Sequence, residues 1–326
     1  MKLDIFAHVM PRKWEEALEK RFGRKFITVH APALTDMEQR FRIMDEYKPL
    51  RQVVTIPGPP VAEVAGPEES PELARLSNDI LAEMVDASPD YFAGGVANLP
   101  LNNMDATLKE TDRAIKELGF KGVLIHTPSN GKPLDLPEFM PLYDKMAEYD
   151  LPIWIHPRRG AIPDYEGEDK SMYWVFSVWG WPYETTLAMT RLVFSGIFDR
   201  HPNLKFITHH AGAMVPFFEK RIYSQYEHCR VSDLHQYGHL AGPPLDYFPK
   251  FYCDTAINGS TPGLMCAYQF YGADHLLFGT DAPMDAENGH MSLRETIRSI
   301  EEMDIPDADR QKIYEGNARR LLHLSP

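Results

Sequence analysis

Three histidines and one aspartate stand at the ends of short apolar segments that are far apart in the chain. They are His8, His156, His210 and Asp281. Imidazole and carboxylate groups together suit Zn²⁺ or Mn²⁺, and a metal with an open coordination position polarises a substrate oxygen or activates a water molecule. If the fold brings these four side chains together, the chemistry to expect is that of a metal-dependent active site.

A structural role is the alternative for each histidine by itself. A single histidine that closes a strand is usually a hydrogen-bonded residue with no catalytic task. The occurrence of several such residues at strand ends in one chain favours a shared functional site. His126 is the weakest candidate of this kind, because its segment is equally compatible with a structural residue or a pocket wall.

The elements that would position these residues are short runs rich in apolar and β-branched residues, which are typical of buried strands. Amphipathic stretches with helical spacing separate most of them, at 71–87, 103–118, 137–149 and 184–198. This alternation predicts an α/β fold with a parallel sheet covered by helices on its outer face. The predicted strands are 2–8, 51–57, 91–97, 121–126, 152–156, 204–210, 250–254 and 275–281.

The position of the polar residues distinguishes a closed barrel from an open sheet. Six of the runs end in His or Asp, and barrel enzymes collect their chemistry at the carboxyl ends of the strands. A dinucleotide-binding open sheet needs a glycine-rich turn after its first strand, whereas residues 9–12 contain no glycine. We therefore predict a TIM-type (β/α)8 barrel, with residues 1–326 as one domain and longer rim loops inserted at 11–48 and 158–183.

The rim loops and nearby arginines are candidates for substrate binding. The loop 158–183 is rich in aromatic residues, and Trp179 in it is either core or part of an aromatic substrate wall. A guanidinium group grips a carboxylate through two parallel hydrogen bonds. The candidate clamps are Arg40, Arg42, Arg158 and Arg159.

Composition restricts the partners. The formal net charge of −13 disfavours binding to nucleic acid or to an anionic membrane surface. The amino-terminal segment has no secretory pattern, and the three cysteines show neither CxxC spacing nor a disulfide framework. These features predict a cytoplasmic protein that acts on a small molecule.

Several motifs resemble one family of barrel enzymes. They are DIFAHVMP at 4–11, PIWIHP at 152–157, GWPYETT at 180–186, RLVFSGIFD at 191–199, HAG at 210–212 with Pro216, FGTDAP at 278–283 and GNARRLL at 316–322. Together they resemble the amidohydrolase-related decarboxylases, the group of 2-amino-3-carboxymuconate-6-semialdehyde decarboxylase and gamma-resorcylate decarboxylase. The resemblance implies a metal-dependent homodimer or homotetramer that removes CO₂ from aromatic or unsaturated acids.

The resemblance also implies roles for individual residues. His8, His156 and Asp281 match metal ligands, and His210 matches the histidine of the sixth strand, while His209 lies one residue too early. Glu184 matches a recurrent glutamate that orients other groups.

One departure from the family pattern concerns the metal. The family usually has His or Glu two residues before His8, and this chain has Phe6, which cannot bind a metal. Three outcomes are open: the remaining ligands hold the metal with water or His210, Asp4 or His126 substitutes, or the metal binds weakly or not at all.

Three functions follow from these observations. The leading hypothesis is decarboxylation of a small carboxylic acid, with His210 or Asp281 supplying the proton. Hydrolysis or hydration at the same site is the second, because fold and ligand set do not separate these chemistries. The third is a small-molecule-binding barrel without catalysis, in which Phe6 marks the loss of the metal.

Overall fold

The computed structural model describes residues 1–26, 30–232 and 240–324. Its strands form two parallel ladders, one of three strands in the order β1-β2-β3 and one of five in the order β4-β5-β6-β7-β8. The strands are β1 (Lys2–His8), β2 (Leu50–Thr55), β3 (Phe92–Gly95), β4 (Ala97–Asn98), β5 (Val123–Thr127), β6 (Ile153–Pro157), β7 (Phe206–Thr208) and β8 (Tyr252–Cys253).

Two connections join these ladders into a closed barrel. Between β3 and β4, the amide of Val96 donates to the carbonyl of Val54, so the two short strands act as one barrel strand. On the other side, the extended segment 275–281 lies between β8 and β1. Leu277 donates to the carbonyl of Cys253, and Ile5 donates to the carbonyl of Phe278. The predicted barrel is therefore confirmed.

Helices follow most strands and cover the outside of the barrel. Several begin at side-chain caps, as where Asp36 accepts from the amide of Gln39 and Asn103 accepts from that of Ala106. The helices are α1 (Arg12–Phe22), α2 (Met37–Glu46), α3 (Val61–Val64), α4 (Ser70–Asp86), α5 (Met104–Lys116), α6 (Met140–Tyr149), α7 (Trp181–Phe194), α8 (Ile197–Arg200), α9 (Glu219–Val231), α10 (Thr261–Tyr271), α11 (His290–Glu301), α12 (Asp307–Gln311) and α13 (Asn317–Leu321).

The core has two parts, as both faces of the sheet are covered. The larger part packs strand residues against helix residues such as Trp14, Leu142 and Leu192. The smaller part consists mainly of side chains from the strands, with Phe6 and Trp154 the largest of them. The indole of Trp154 donates to the carbonyl of Ile5 across the barrel, at 3.0 Å. These two layers fix the directions in which the strand ends point.

The element bounds differ from the prediction at several strands. The segment predicted as the last strand, 275–281, contains no assigned strand and joins β8 and β1 through single backbone hydrogen bonds. The predicted strand 91–97 is divided between β3 and β4, and the strand predicted at 204–210 ends at Thr208, before the two histidines. The described part of the loop 11–48 contains α1 and α2. No helix among the described residues is long and apolar enough to cross a lipid bilayer.

Candidate active site

One cavity at the carboxyl ends of the strands contains the residues that the sequence singled out. Its volume is about 200 Å³, and its wall includes His8, His156, His210 and Asp281. These residues come from four different strand ends, and the barrel brings them together as expected. The rest of the wall is basic and aromatic, with His126, Arg158, Arg159, Phe26 and Trp181 among its residues.

His8, at the end of β1, contacts Asp281, at the end of the segment 275–281, inside this cavity. The Nε2 atom of His8 lies 2.9 Å from Oδ1 of Asp281, and its Nδ1 atom lies 2.8 Å from the hydroxyl of Thr55. Burial by itself would raise the pKa of Asp281. The interactions with His210 and His8 outweigh burial and hold the pKa of this carboxyl well below its usual range. Asp281 is therefore an anion at neutral pH.

His210 forms an acid–base pair with the same carboxylate. Its Nε2 atom lies 3.9 Å from Oδ2 of Asp281. Burial opposes protonation of the ring, but the negative charge of Asp281 outweighs it and raises the pKa of His210 above 6.5. Both residues have left-handed backbones, with φ of 60° for His210 and 61° for Asp281. Such backbones are uncommon for residues with side chains and occur often at functional sites.

His126 and His156 face each other on neighbouring strands and are neutral. They form a register pair between β5 and β6, with ring centroids 5.3 Å apart. Burial lowers the pKa of His126 to about 3, with the charge of Arg158 a further cause. Burial and the neighbouring histidines also lower the pKa of His156 well below 6.5. A neutral imidazole is the form that binds a metal ion.

A second histidine follows β7. It is His209, and its ring belongs to the same group of aromatic rings as those of His8 and His156. Its ring stacks on that of Phe6 with centroids 3.5 Å apart and an angle of 15° between the planes. Its Nδ1 atom lies 2.9 Å from Oδ2 of Asp254, and both side chains are fully buried. From the sequence, His209 was not expected in the site. The signal that marks it is the pair of adjacent histidines combined with the strand-end aspartate at 254.

Arg159 is the better placed of the two arginines that line the cavity. Its Nη1 atom lies 3.1 Å from Oε1 of Glu184, and its carbonyl accepts from the indole of Trp181. The Arg158 side chain is paired with Glu63 and is more exposed. Glu184 thus holds a basic side chain at the cavity wall, which fits the orienting role that the resemblance implies.

Three predicted substrate-binding residues lie elsewhere. Arg40 is only 3% exposed, and its guanidinium donates to Gln52 and to the carbonyls of His8 and Ala33. It is a structural residue, because a buried cation that already has these partners is not available to a ligand. Trp179 is 64% exposed and does not line the cavity; Trp181 takes that place. Arg42 is exposed on α2 and is not part of the cavity wall either.

Asp4 is not available as a substitute ligand. One of its carboxylate oxygens accepts from the amides of Phe6 and Thr280, and the other accepts from the side chains of Gln52 and Thr280. Burial raises the pKa of this carboxyl to about 6. Because both oxygens already have partners, Asp4 stabilises the barrel below the site and does not replace the donor that Phe6 lacks.

The chemistry of the donors fits a divalent metal. His156 places Nδ1 against the carbonyl of Pro157, and this partner assigns the tautomer that leaves Nε2 with a lone pair. His8 contacts Thr55 through Nδ1 and Asp281 through Nε2, so it would have to give up the Nε2 proton to bind a metal. Asp281 adds a carboxylate. Among the described residues, no three His, Cys, Asp or Glu side chains stand at ligand spacing around one point. A metal would therefore have to draw these donors together.

Comparison with known proteins finds relatives that match most of the chain. The chain is 32% identical over 299 residues to gamma-resorcylate decarboxylase of Polaromonas sp. strain JS666, covering 88% of this chain and 87% of the relative. A more distant relative, 2-keto-4-carboxy-3-hexenedioate hydratase of Sphingobium sp. strain NBRC 103272, is 28% identical and covers 76% of this chain and 70% of its own length.

A solved structure of a decarboxylase is similar to this chain over nearly its whole length. The dihydroxybenzoic acid decarboxylase of Polaromonas sp. JS666, solved with manganese and the inhibitor 2-nitroresorcinol, superposes with a TM-score of 0.83 at 30% identity. The match covers 99% of this chain and 96% of that one.

The family follows from the extent of these matches. The family model described as amidohydrolase matches residues 4–324, which includes every strand end that contributes to the cavity. The match includes His8, His210 and Asp281. With the barrel and the cavity described above, this shows that the chain is a member of the amidohydrolase family.

Proposed function

We propose that this chain is a metal-dependent decarboxylase that releases CO₂, without oxidation, from a small aromatic or conjugated carboxylic acid. The observation that carries the proposal is the ion pair of His210 and Asp281 in a cavity with neutral imidazole donors and a basic wall. This arrangement combines a proton donor with positions for an anionic substrate. The amidohydrolase-family relatives are named as enzymes, so a binding barrel without catalysis is not supported.

The basic wall would hold the substrate. An acid that enters the cavity meets the guanidinium of Arg159, which Glu184 keeps in place. Trp181 supplies an aromatic face at the same wall. A divalent metal held by His8, His156 and Asp281 would act as a Lewis acid on the substrate's carboxylate and a neighbouring oxygen. The pocket therefore suits a planar acid with an adjacent hydroxyl or oxo group.

His210 is the better proton donor of the two candidates. Its pKa is raised, whereas that of Asp281 is held far below neutrality, so at neutral pH the proton is on the imidazole. In the proposed step, the imidazolium gives its proton to the ring carbon that bears the carboxylate. The bond from this carbon to the carboxylate then breaks, its electron pair returns to the ring, and CO₂ leaves. Solvent then returns a proton to His210 and restores the imidazolium for the next turnover.

Manganese is the proposed metal, ahead of zinc. A relative at 30% identity was solved with bound manganese. The donor set of two imidazoles and one carboxylate is compatible with either metal. Metal analysis of the purified protein, followed by reconstitution with each ion separately, distinguishes them.

The test of the function is CO₂ release by the Mn²⁺-loaded protein from a panel of hydroxybenzoates, including gamma-resorcylate, and muconate-type acids. We expect at least one substrate to lose one CO₂ per turnover, and in ²H₂O the product should carry one deuterium at the former carboxylate carbon. A metal-loaded protein that releases no CO₂ from any of these acids contradicts the proposal.

Hydration is the second candidate, since one relative is named as a hydratase of an unsaturated acid. Reaction in H₂¹⁸O separates the two. Incorporation of ¹⁸O into the organic product favours hydration or hydrolysis, and CO₂ release without such incorporation favours decarboxylation.

The assembly, the domain organisation and the location stay predictions. A homodimer or homotetramer is supported by large exposed side chains near the rim, such as Tyr173 (89% exposed), Trp179 and Phe217 (77%). Light scattering of the purified protein measures the mass directly. We retain residues 1–326 as one domain and a cytoplasmic location as proposals of the same kind, which limited proteolysis and cell fractionation test.

A further inference from the structure

The metal site of this chain lacks one donor, and the structure contains an unused one beside the gap. Phe6 occupies the position where the family usually has a metal-binding side chain, and its ring is buried in the inner core. The Nε2 atom of His209, whose ring stacks on Phe6, is buried and has no hydrogen-bond partner. A buried polar atom without a partner costs free energy, so it calls for an explanation.

We propose that His209 replaces the missing first-strand ligand. The metal would then take one donor from the segment after β7 in place of a donor at position 6 in β1. This inference rests on the proposed metal-dependent function. It assigns to this chain a donor set of His8, His156, His209 and Asp281. His210, the next residue, keeps the role of proton donor.

The first support is the way His209 is held. Its Nδ1–H group donates to Asp254, just as His8 and His156 place Nδ1 against Thr55 and the carbonyl of Pro157. Histidines that bind metals nearly always donate their other ring N–H to a carboxylate, a carbonyl or water, and this fixes the tautomer. In His156 and His209 this leaves Nε2 for a ligand, whereas Nε2 of His8 contacts Asp281, another of the proposed ligands.

The second support is the position of the ring. His156 stands at nearly equal distances from His8 and His209, with centroid separations of 5.3 and 5.6 Å. The stacking contact places the imidazole of His209 only 3.5 Å from the ring at position 6. The proposed donor therefore follows β7 instead of lying in β1, but its ring is in the same part of the barrel.

The third support is the role of Asp254, which holds both functional histidines of this turn. One oxygen accepts from Nδ1 of His209, and the other accepts from the amides of Ala211 and Ala256. The chain from His210 to Ala213 has positive φ throughout, so the turn needs such an anchor. One buried carboxylate thereby sets the positions of His209 and His210 together.

Other candidates for the missing donor fit less well. Both oxygens of Asp4 already have protein partners. His126 also has an unpartnered Nε2 atom and lines the same cavity as His8 and His156. It has a close ring contact with His156 and none with Phe6 among the described residues. His126 is therefore the matched control for the test.

The test measures the affinity of the full-length protein for Mn²⁺ alone, from the electron paramagnetic resonance signal of free Mn²⁺. His209→Phe keeps an aromatic ring that can stack on Phe6 but removes the lone pair, and we expect about 100-fold weaker binding. Asp254→Asn leaves the ring but disturbs its orientation, and we expect binding weaker by about 10-fold or more. His126→Phe, the same exchange on the control histidine, should bind within about 3-fold of wild type, as a residue outside the ligand set.

A rescue variant separates ligation from packing. Phe6→His combined with His209→Phe exchanges the two rings, and we expect it to recover Mn²⁺ affinity to within about 10-fold of wild type. A loss caused only by disturbed packing would not be repaired by this exchange. Thermal unfolding of the metal-free variants verifies that each is folded, and if His209→Phe does not fold, Asp254→Asn decides.

The outcomes are distinguishable. Weak binding by His209→Phe with rescue by Phe6→His supports the inference. Wild-type affinity in His209→Phe overturns it and leaves the proposed decarboxylase intact. A wild-type protein that binds neither Mn²⁺ nor Zn²⁺ overturns both the inference and the metal dependence of the proposed function.

Discussion

The Nε2 atom of His8 lies 2.9 Å from Oδ1 of Asp281, so side chains of β1 and of the segment 275–281 meet inside the cavity. The same carboxylate lies 3.9 Å from the ring of His210. Asp281 therefore connects the proposed metal donors with the proposed proton donor, and each prediction about the site depends on this arrangement.

Asp281→Asn should abolish most of the activity and reduce the metal content. The amide is neutral, so it neither binds a metal well nor stabilises the imidazolium of His210. We expect kcat to fall by about 10²-fold or more, as for removal of a group that acts in proton transfer. The measurements are CO₂ release and manganese per chain. Asp86→Asn, at an exposed position on α4, is the control. Equal activity in both variants would exclude Asp281 from the site.

The pH profile should report His210. Because its pKa is raised above 6.5 by Asp281, the imidazolium is present at low pH and is lost as the pH rises through that raised pKa. We therefore expect kcat to fall on the alkaline side, with a midpoint above 6.5. His210→Gln should lower kcat by about 10² to 10⁴-fold and remove this limb. A His210→Gln enzyme with the wild-type rate and profile would show that another group gives the proton.

Glu184→Gln should affect substrate binding more than the chemical step. Glu184 positions Arg159 through the 3.1 Å ion pair, and the neutral amide holds the guanidinium less firmly. We expect KM to rise about 10-fold, consistent with the loss of roughly 1.5 kcal/mol from a charge-assisted hydrogen bond, and kcat to stay within about 2-fold.

Two further variants complete this test. Arg159→Lys should shift KM in the same direction, since an ammonium cannot grip a carboxylate through two parallel bonds. Glu166→Gln, exposed in the same loop, should leave KM unchanged. A fall in kcat with constant KM in Glu184→Gln would assign the glutamate to the chemical step instead.

Asp4 should make the stability of the folded chain depend on pH. Its folded pKa, about 6, is above the ordinary 3.8, so its contribution is fully present below pH 3.8 and is lost as the pH rises through 6. The free energy of unfolding of wild type minus that of Asp4→Asn should therefore fall by about 2 kcal/mol between pH 4.5 and 7.5.

Denaturant titrations of the metal-free proteins at the two pH values measure this difference. Asp254, whose pKa burial also raises to about 6, is present in both proteins and cancels. Asp304→Asn, at an exposed position, is the control for the general effect of removing one carboxylate. A constant difference for Asp4→Asn would show that this carboxyl titrates normally in the folded state.

Much of the fold and of the site could be predicted from the sequence. The alternation of apolar runs with amphipathic stretches predicts the barrel. Strands of a parallel sheet are buried on both faces, so they are apolar along their whole length. His8, His156, His210 and Asp281 were identifiable because they stand at strand ends, where a barrel directs side chains to one rim.

The roles of the other residues depended on contacts between distant parts of the chain. Arg40 has the sequence features of a surface cation, and only its burial against Gln52 and the carbonyl of His8 makes it structural. His209 was left out because strand spacing alone does not show that Asp254, 45 residues later, holds its ring against Phe6. The sequence by itself determined the barrel and the rim residues, since these follow from local patterns of burial. The tertiary structure alone decided which polar atoms already have partners, because that depends on distances between strands that no local pattern encodes.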